Sequence, residues 1–274
     1  MKKITLIEKI NQTGLRIVAC INNLPSPGSL ETGPIVLCYH SIENDSWRFS
    51  VSVAEFKKQM QFLKRTKTVL PLSEIVKAKK KLKNTVALTF DDGYKNNLLN
   101  ATPILSELGL PATLFVLGDS KKADRKALGN KKELLSASEI KKLHKMGWEI
   151  GFHSDTHTNL WKLTDQELEE EIVKSKKRKE KELGITLRYF AYPMGLYSEK
   201  IIALVKKAGF EAAFTVDGGA SYAKDKMKIA RTCVESTMKG GSFEAVVSVL
   251  GLSFQSFLML GLRLKERARF LLKK

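Results

Sequence analysis

The chain has 274 residues, with 47 Lys and Arg against 29 Asp and Glu, a formal net charge of +18. A hydrophobic share of 43% excludes a disordered chain, and 7 Pro with 18 Gly exclude collagen-like and low-complexity classes. Three widely spaced cysteines, Cys20, Cys38 and Cys233, supply neither a Cys-x-x-Cys pair nor a disulfide framework, which excludes a small excreted, stapled fold.

Residues 1–33 read as an N-terminal amphipathic extension ending at the Pro25-Ser26-Pro27-Gly28 breaker. Met1-Lys2-Lys3 is a charged start, but the longest apolar run behind it, Ile17–Ile21, is shorter than the roughly 7–15 residues of a cleaved signal peptide, so none is predicted. Short apolar runs then predict strands over Ile35–Tyr39, Thr85–Phe90, Ala112–Leu117, Trp148–Phe152, Tyr189–Tyr192, Ala212–Val216 and Ile229–Val234. Helical patterns lie between most of them. Val53–Arg65 puts Phe56, Met60 and Leu63 on one face, and Ser73 caps a short helix to Lys80. A helix over Tyr94–Leu108 is kinked by Pro103 and stopped by Gly109. Ser138–Met146 ends at Gly147, and Thr164-Asp165-Gln166-Glu167 is a capping box that opens a helix running to Gly184. Ser198–Ala208 ends at Gly209.

Strand and helix thus alternate about seven times with no internal repeat, which argues for parallel strands joined by helical crossovers. One barrel-like α/β domain over residues 34–240 is the simplest arrangement. The C-terminal segment 241–274 is apolar from Phe243 to Leu262 and then basic, from Arg263 to Lys274. It reads either as a helix lying on a membrane surface or as a terminal helix packed on the domain.

In such barrels chemistry sits at the carboxyl ends of the strands. Thr85–Phe90 leads into Asp91-Asp92-Gly93, two carboxylates and a glycine that also suit a simple turn. Trp148–Phe152 leads into His153-Ser154-Asp155-Thr156-His157, which holds two of the four histidines. On a helical turn that spacing puts both imidazoles on one face, so both could ligate one ion. Two His and one Asp leave coordination positions open, as in catalytic sites. Tyr189–Tyr192 leads into Pro193-Met194-Gly195, a tight loop whose Met194 N–H could stabilise an oxyanion. Ile35–Tyr39 ends in His40, whereas His144 sits on a polar helix and reads as surface.

Thr89-Phe90-Asp91-Asp92-Gly93, His153-Ser154-Asp155-Thr156-His157 and Phe190-Ala191-Tyr192-Pro193-Met194-Gly195 resemble, in order and spacing, the first three motifs of the NodB-homology polysaccharide deacetylases, carbohydrate esterase family 4. Tyr39-His40 ahead of the Asp-Asp motif resembles the poly-β-1,6-N-acetylglucosamine deacetylase branch. The resemblance implies a distorted (β/α) barrel with Asp91 as catalytic base. It further implies Asp92, His153 and His157 as ligands of one divalent metal ion. Zinc suits that set best, although mixed N/O ligands also admit Co, Ni, Mn or Fe. Tyr192, Pro193 and Met194 would line the oxyanion and substrate side. Many members carry an arginine where this chain has Ala191, so Arg188 or Arg231 would have to brace the base. No histidine follows His157 to supply the family's late general acid, which leaves His40, oriented by Asp217.

The resemblance implies hydrolysis of the N-acetyl groups of an N-acetylhexosamine polysaccharide, at the cell envelope or outside the cytoplasm. Without a signal peptide the cytoplasmic face of the membrane stays open. Two alternatives also stand: a deacylase of a lipid-linked amino sugar, and a catalytically impaired carbohydrate-binding relative. Residues 57–83 carry ten Lys or Arg and the single acid Glu74. This basic surface fits an anionic membrane, and with no nucleic-acid-binding motif present no nucleic acid partner is expected.

Overall fold

The computed structural model describes residues 34–79, 82–129, 132–218, 221 and 225–248. The predicted N-terminal extension, and the predicted tail from residue 249 onward, lie outside them. The two longest strands, β1 (Ile35–Tyr39) and β5 (Thr85–Phe90), are buried along their whole length. Continuous apolar runs of this kind belong to parallel strands covered on both faces. Between them come a small parallel pair, β2 (Ser41–Ile42) and β3 (Ser50–Val51), then helix α1 (Val53–Thr66), β4 (Thr68–Val69) and α2 (Leu72–Lys77). The later strands are β6 (Thr113–Val116), β7 (Glu149–Phe152), β8 (Tyr189–Ala191), β9 (Ala212–Phe214) and β10 (Thr232–Cys233).

The sheet runs β10-β1-β5-β6-β7-β8-β9, and each neighbouring pair is parallel. Strand β4 joins the foot of β5 at Thr85 and Val86, on the edge that β6 occupies higher up at Thr89 and Phe90. The two ends of the sheet are drawn together by one segment. Ile229 bridges Phe214 of β9, and four residues later Cys233 is the register partner of Cys38 in β1. The expected distorted parallel barrel is therefore present.

Side chains alternate between its two faces. Val36, Ala87, Phe115, Tyr189, Ala191, Phe214 and Ile229 form one interior cluster, into which α2 pushes Leu72, Ile75 and Val76. Ile35, Leu37, Tyr39, Leu88 and Phe90 face the helices instead. Cys38, Thr89 and Asp91 lie two or four residues beyond Val36 and Ala87, so the strand period carries them to the interior side near the top of the barrel.

Helix ends follow local chemistry. Ser52 caps α1, and α4 (Ala137–Lys145) opens on a capping box of Ser136 and Glu139. The Thr164–Glu167 box opens α5 (Asp165–Glu169), as expected. Behind α5 a π-helical turn, Glu170–Lys174, leads into α6 (Ser175–Leu183), which stops at the left-handed Gly184. Ser198 caps α7 (Glu199–Lys207). Ser73 caps nothing: α2 starts one residue earlier to bury Leu72, and the Ser73 N–H donates to the Glu149 carboxylate. The stretch after Tyr94 is a π-helical turn, Asn97–Ala101, followed by α3 (Thr102–Leu108), and Pro103 lies in the first turn of α3 rather than inside a continuous helix. Helix α8 (Gly241–Val246) buries Phe243, Ala245 and Val246, and Phe243 meets Phe62 of α1 edge to face at 6.3 Å. Packing thus continues past residue 240. Among the described residues no helix is long and apolar enough to cross a membrane.

Gly151 of β7 leaves room for an interior aromatic ring, since a Cβ there would lie 2.5 Å from Phe115. Gly151→Ala is expected to cost about 1–3 kcal/mol through overpacking, seen as a lower urea midpoint at unchanged m-value.

Candidate active site

The carboxyl end of β5 delivers Asp91 to the interior and turns Asp92 the other way. Asp91 extends the ladder by donating its N–H to the Tyr39 carbonyl at 2.9 Å. Asp92 then adopts a left-handed conformation, φ +71°, which costs a non-glycine residue roughly 1–2 kcal/mol. Gly93, at φ +78°, completes the turn.

Asp91 is gripped by Arg231, a fully buried side chain from the segment that closes the barrel. Arg231 Nη1 donates to Oδ1 and Nη2 to Oδ2, both at 2.7 Å. The guanidinium also donates to Thr89 Oγ1 at 3.1 Å and to the Thr215 carbonyl at 3.3 Å, and lies over the Phe115 ring. Burial by itself would raise the Asp91 pKa. The Arg231 charge and its two hydrogen bonds outweigh it and hold the carboxyl well below the usual carboxylate range. Arg188 takes no such part: its guanidinium meets Glu211 at 3.3 Å on the surface, at the foot of the sheet.

His153 and His157 do not share a helical face. Ser154 and His157 have φ of +63° and +60°, so their segment is a loop. Glu171, in the π-helical turn, holds this loop by accepting from the N–H groups of Asp155 and Thr156 and from Thr156 Oγ1. On its other side the segment after β6 donates the N–H groups of Gly118 and Asp119 to the Ser154 and Asp155 carbonyls, each at 2.9 Å. Gly118 permits this approach, because a Cβ there would lie 3.0 Å from the Asp155 Cα.

The loop brings both imidazoles to Asp92, with His153 Nε2 and His157 Nε2 each 3.5 Å from Oδ1. His153 Nδ1 lies 2.7 Å from the Ala191 carbonyl, which can only accept, so Nδ1 carries the proton and Nε2 presents its lone pair to Asp92. Burial pushes the His153 pKa down to about 4 against the pull of Asp91 and Asp92, so the ring is neutral near pH 7. Asp92 Oδ1 is buried with no hydrogen-bond partner. A lone pair and a carboxylate oxygen facing each other unbridged are what a divalent cation would satisfy, and the Asp92, His153 and His157 donor atoms lie within 4.8 Å of one another. The residues fit such an ion.

His40 stands on the opposite side. A ring nitrogen of His40, an Asp91 oxygen and Cys38 Sγ also lie within 4.8 Å of one another. The ring packs on Phe49 at 4.8 Å, with Trp47 edge-on at 6.4 Å. At the end of β8, Pro193–Gly195 form a single 3₁₀ turn in which Met194 has φ +56° and is 44% exposed. Tyr192 is buried, and its hydroxyl donates to the Met227 carbonyl at 2.9 Å, so its side chain points into the fold. Asp217 accepts from Thr215 Oγ1 at 2.8 Å and from the Tyr197 hydroxyl at 3.3 Å. His144 is exposed, as expected.

The sequence pattern described as polysaccharide deacetylase matches residues 78–213, the span that contains all three strand-end motifs. The chain belongs to the polysaccharide deacetylase family of hydrolases. It is 29% identical over 218 residues to the Bacillus subtilis protein YxkH, provisionally named a polysaccharide deacetylase, a match that covers 77% of this chain and 75% of that one. It is 28% identical over 192 residues to a Staphylococcus aureus poly-β-1,6-N-acetyl-D-glucosamine N-deacetylase, covering 65% of each. A solved polysaccharide deacetylase from Bacillus cereus superposes with a TM-score of 0.64 at 28% identity, covering 81% of this chain and 71% of that one.

Within this deacetylase two site features were not legible in the sequence. Glu171 is one of many charges on a polar helix, and only its contacts mark it as the anchor of the histidine loop. Cys38 reads in the sequence only as a strand residue, whereas its thiol lies 3.3 Å from Asp91 Oδ2, and no spacing pattern signals that. Removing one partner of a buried ion pair costs about 3–5 kcal/mol. Arg231→Met should lose that much in urea unfolding, and adding Asp91→Asn should restore part of it. A loss that the second substitution does not relieve would mean that Arg231 contributes packing alone.

Proposed function

We propose that this chain removes N-acetyl groups from an N-acetylglucosamine polymer of the cell envelope. The observation that carries the reading is two adjoining groups, Asp92 with His153 and His157, and Asp91 with His40, linked where Asp91 Oδ2 lies 3.8 Å from His153 Nε2. The Staphylococcus aureus relative named for poly-β-1,6-N-acetyl-D-glucosamine supports that polymer class.

A divalent ion held by Asp92, His153 and His157 supplies Lewis acidity to an amide carbonyl and to water. Zinc suits the donor set. Asp91 takes the proton from the attacking water, and Arg231 keeps it ionised and aimed. The amide C–N bond breaks as His40 gives a proton to the departing sugar nitrogen, leaving a free amine and acetate. Histidine is the side chain that exchanges protons near neutral pH, and no other remains: two are committed as ligands and His144 is on the surface. In this reading the Met194 N–H receives the developing oxyanion. Arg231 supplies the positive charge that Ala191 cannot, which weighs against a catalytically impaired relative.

Acetate release from β-1,6- and β-1,4-linked N-acetylglucosamine oligomers, with and without chelator, tests the reading. Release from neither sinks it. After dialysis His153→Ala should hold far less metal than the wild type, measured by elemental analysis, and equal content would remove the ligand assignment. His40→Ala should retain metal while kcat falls roughly 10²–10⁴-fold, the usual loss for general acid catalysis. The loss should be smaller for an aryl acetate ester, whose leaving group needs no proton.

A further inference from the structure

Cys38 has no part in the chemistry above, yet its thiol lies against Asp91. It is buried, it lies on the interior side of β1, and its Sγ–H donates to Asp91 Oδ2 at 3.3 Å. His40 Nδ1 is buried without a hydrogen-bond partner. Thiol sulfur, imidazole nitrogen and carboxylate oxygen thus converge within 4.8 Å of one another, outside the Asp92 group. We propose that Cys38, His40 and Asp91 form a second, weaker metal site, taking a thiophilic divalent cation such as zinc, whose occupation shuts the catalytic centre.

The donor set supports this. Cysteine, histidine and aspartate are all side chains that bind zinc in proteins, and a thiolate among them favours zinc over harder ions such as manganese or magnesium. Arg231 does not block the position. A carboxylate offers about four lone-pair sites, and the guanidinium takes one on each oxygen. Cys38 Sγ lies 3.3 Å from Oδ2, so binding exchanges the thiol proton for metal: an S–H bond breaks, an S–metal bond forms and one proton leaves to solvent. The site is the weaker of the two because Asp91 Oδ2 lies only 3.8 Å from His153 Nε2, so a second cation sits close to the first and to the Arg231 charge.

Metal uptake by this cluster is independent of the reaction proposed above. Only the inhibitory consequence rests on that reading, since the ion would tie up both the base and the acid.

The test uses the full chain stripped of metal and titrated with Co²⁺, then with Zn²⁺. The first equivalent of Co²⁺ should give visible bands without a thiolate charge-transfer band, and the second should bring in the ultraviolet thiolate-to-cobalt band. Cys38→Ser should lose that band, while Cys233→Ser, which changes the neighbouring cysteine on β10, should keep it. With zinc, acetate release should rise to one equivalent and fall with the second. In Cys38→Ser the fall should move to at least about tenfold higher zinc. Saturation at one equivalent overturns the site, as does a charge-transfer band that survives Cys38→Ser. A band lost with Cys38→Ser and no fall in wild-type activity keeps the site and overturns the assignment of Asp91 and His40 as base and acid. If neither metal supports acetate release at any ratio, the reading of the function fails while the spectroscopic titration still decides the site.

Discussion

A carboxylate buried inside a protein is stable as an anion only if a fixed positive charge stands beside it. In this deacetylase that requirement is met by Arg231, and much of the architecture depends on it. The guanidinium enters from the segment that pairs with β1 and bridges β9, so the pair ties the closing seam of the barrel to the end of β5. Thr89, the Thr215 carbonyl and the Phe115 ring complete its surroundings, leaving the guanidinium one orientation. Asp91 is thereby held ionised with Oδ2 turned toward His153 and Cys38.

The histidine side of the cleft is built by a different device. Two left-handed residues let the chain fold His153 and His157 back onto one carboxylate, and a single glutamate, Glu171, takes three hydrogen bonds to keep that loop in place. The π-helical turn that carries Glu171 adds a residue to the helix. The Ala191 carbonyl then selects the His153 tautomer. Ala191 therefore acts through its backbone here, at the position where many relatives use an arginine side chain.

These two devices meet across a few ångströms. The proximity of Asp91 and His40, on which the proposed reaction relies, also puts a thiol within reach of both, so the proposed second cation finds its donors there. A strand residue that points inward at the top of a parallel barrel cannot avoid the chemistry gathered there, and Cys38 follows from that register.

The sequence alone determined the longer strands, whose apolar runs mark them. β1 and β5 appear with the boundaries that their apolar runs predict, because a strand covered on both faces must be apolar throughout. The Asp-Asp-Gly turn, the histidine pair and His40 were all legible as polar residues placed directly after such runs. The two-residue strands β2, β3 and β4 were not, since two residues carry no periodicity. The His153–His157 spacing looked helical and proved to be a loop, because backbone sign depends on contacts from β6 and Glu171 that lie elsewhere in the chain. The choice between Arg188 and Arg231 belonged to the tertiary structure alone. Arg188 is much nearer to the Pro193-Met194-Gly195 motif in sequence, but it precedes β8 and falls at the foot of the sheet, whereas Arg231 enters the interior 140 positions after Asp91. Burial and charge pairing act through space, and the chain order that encodes them is silent on which distant segment will close the barrel.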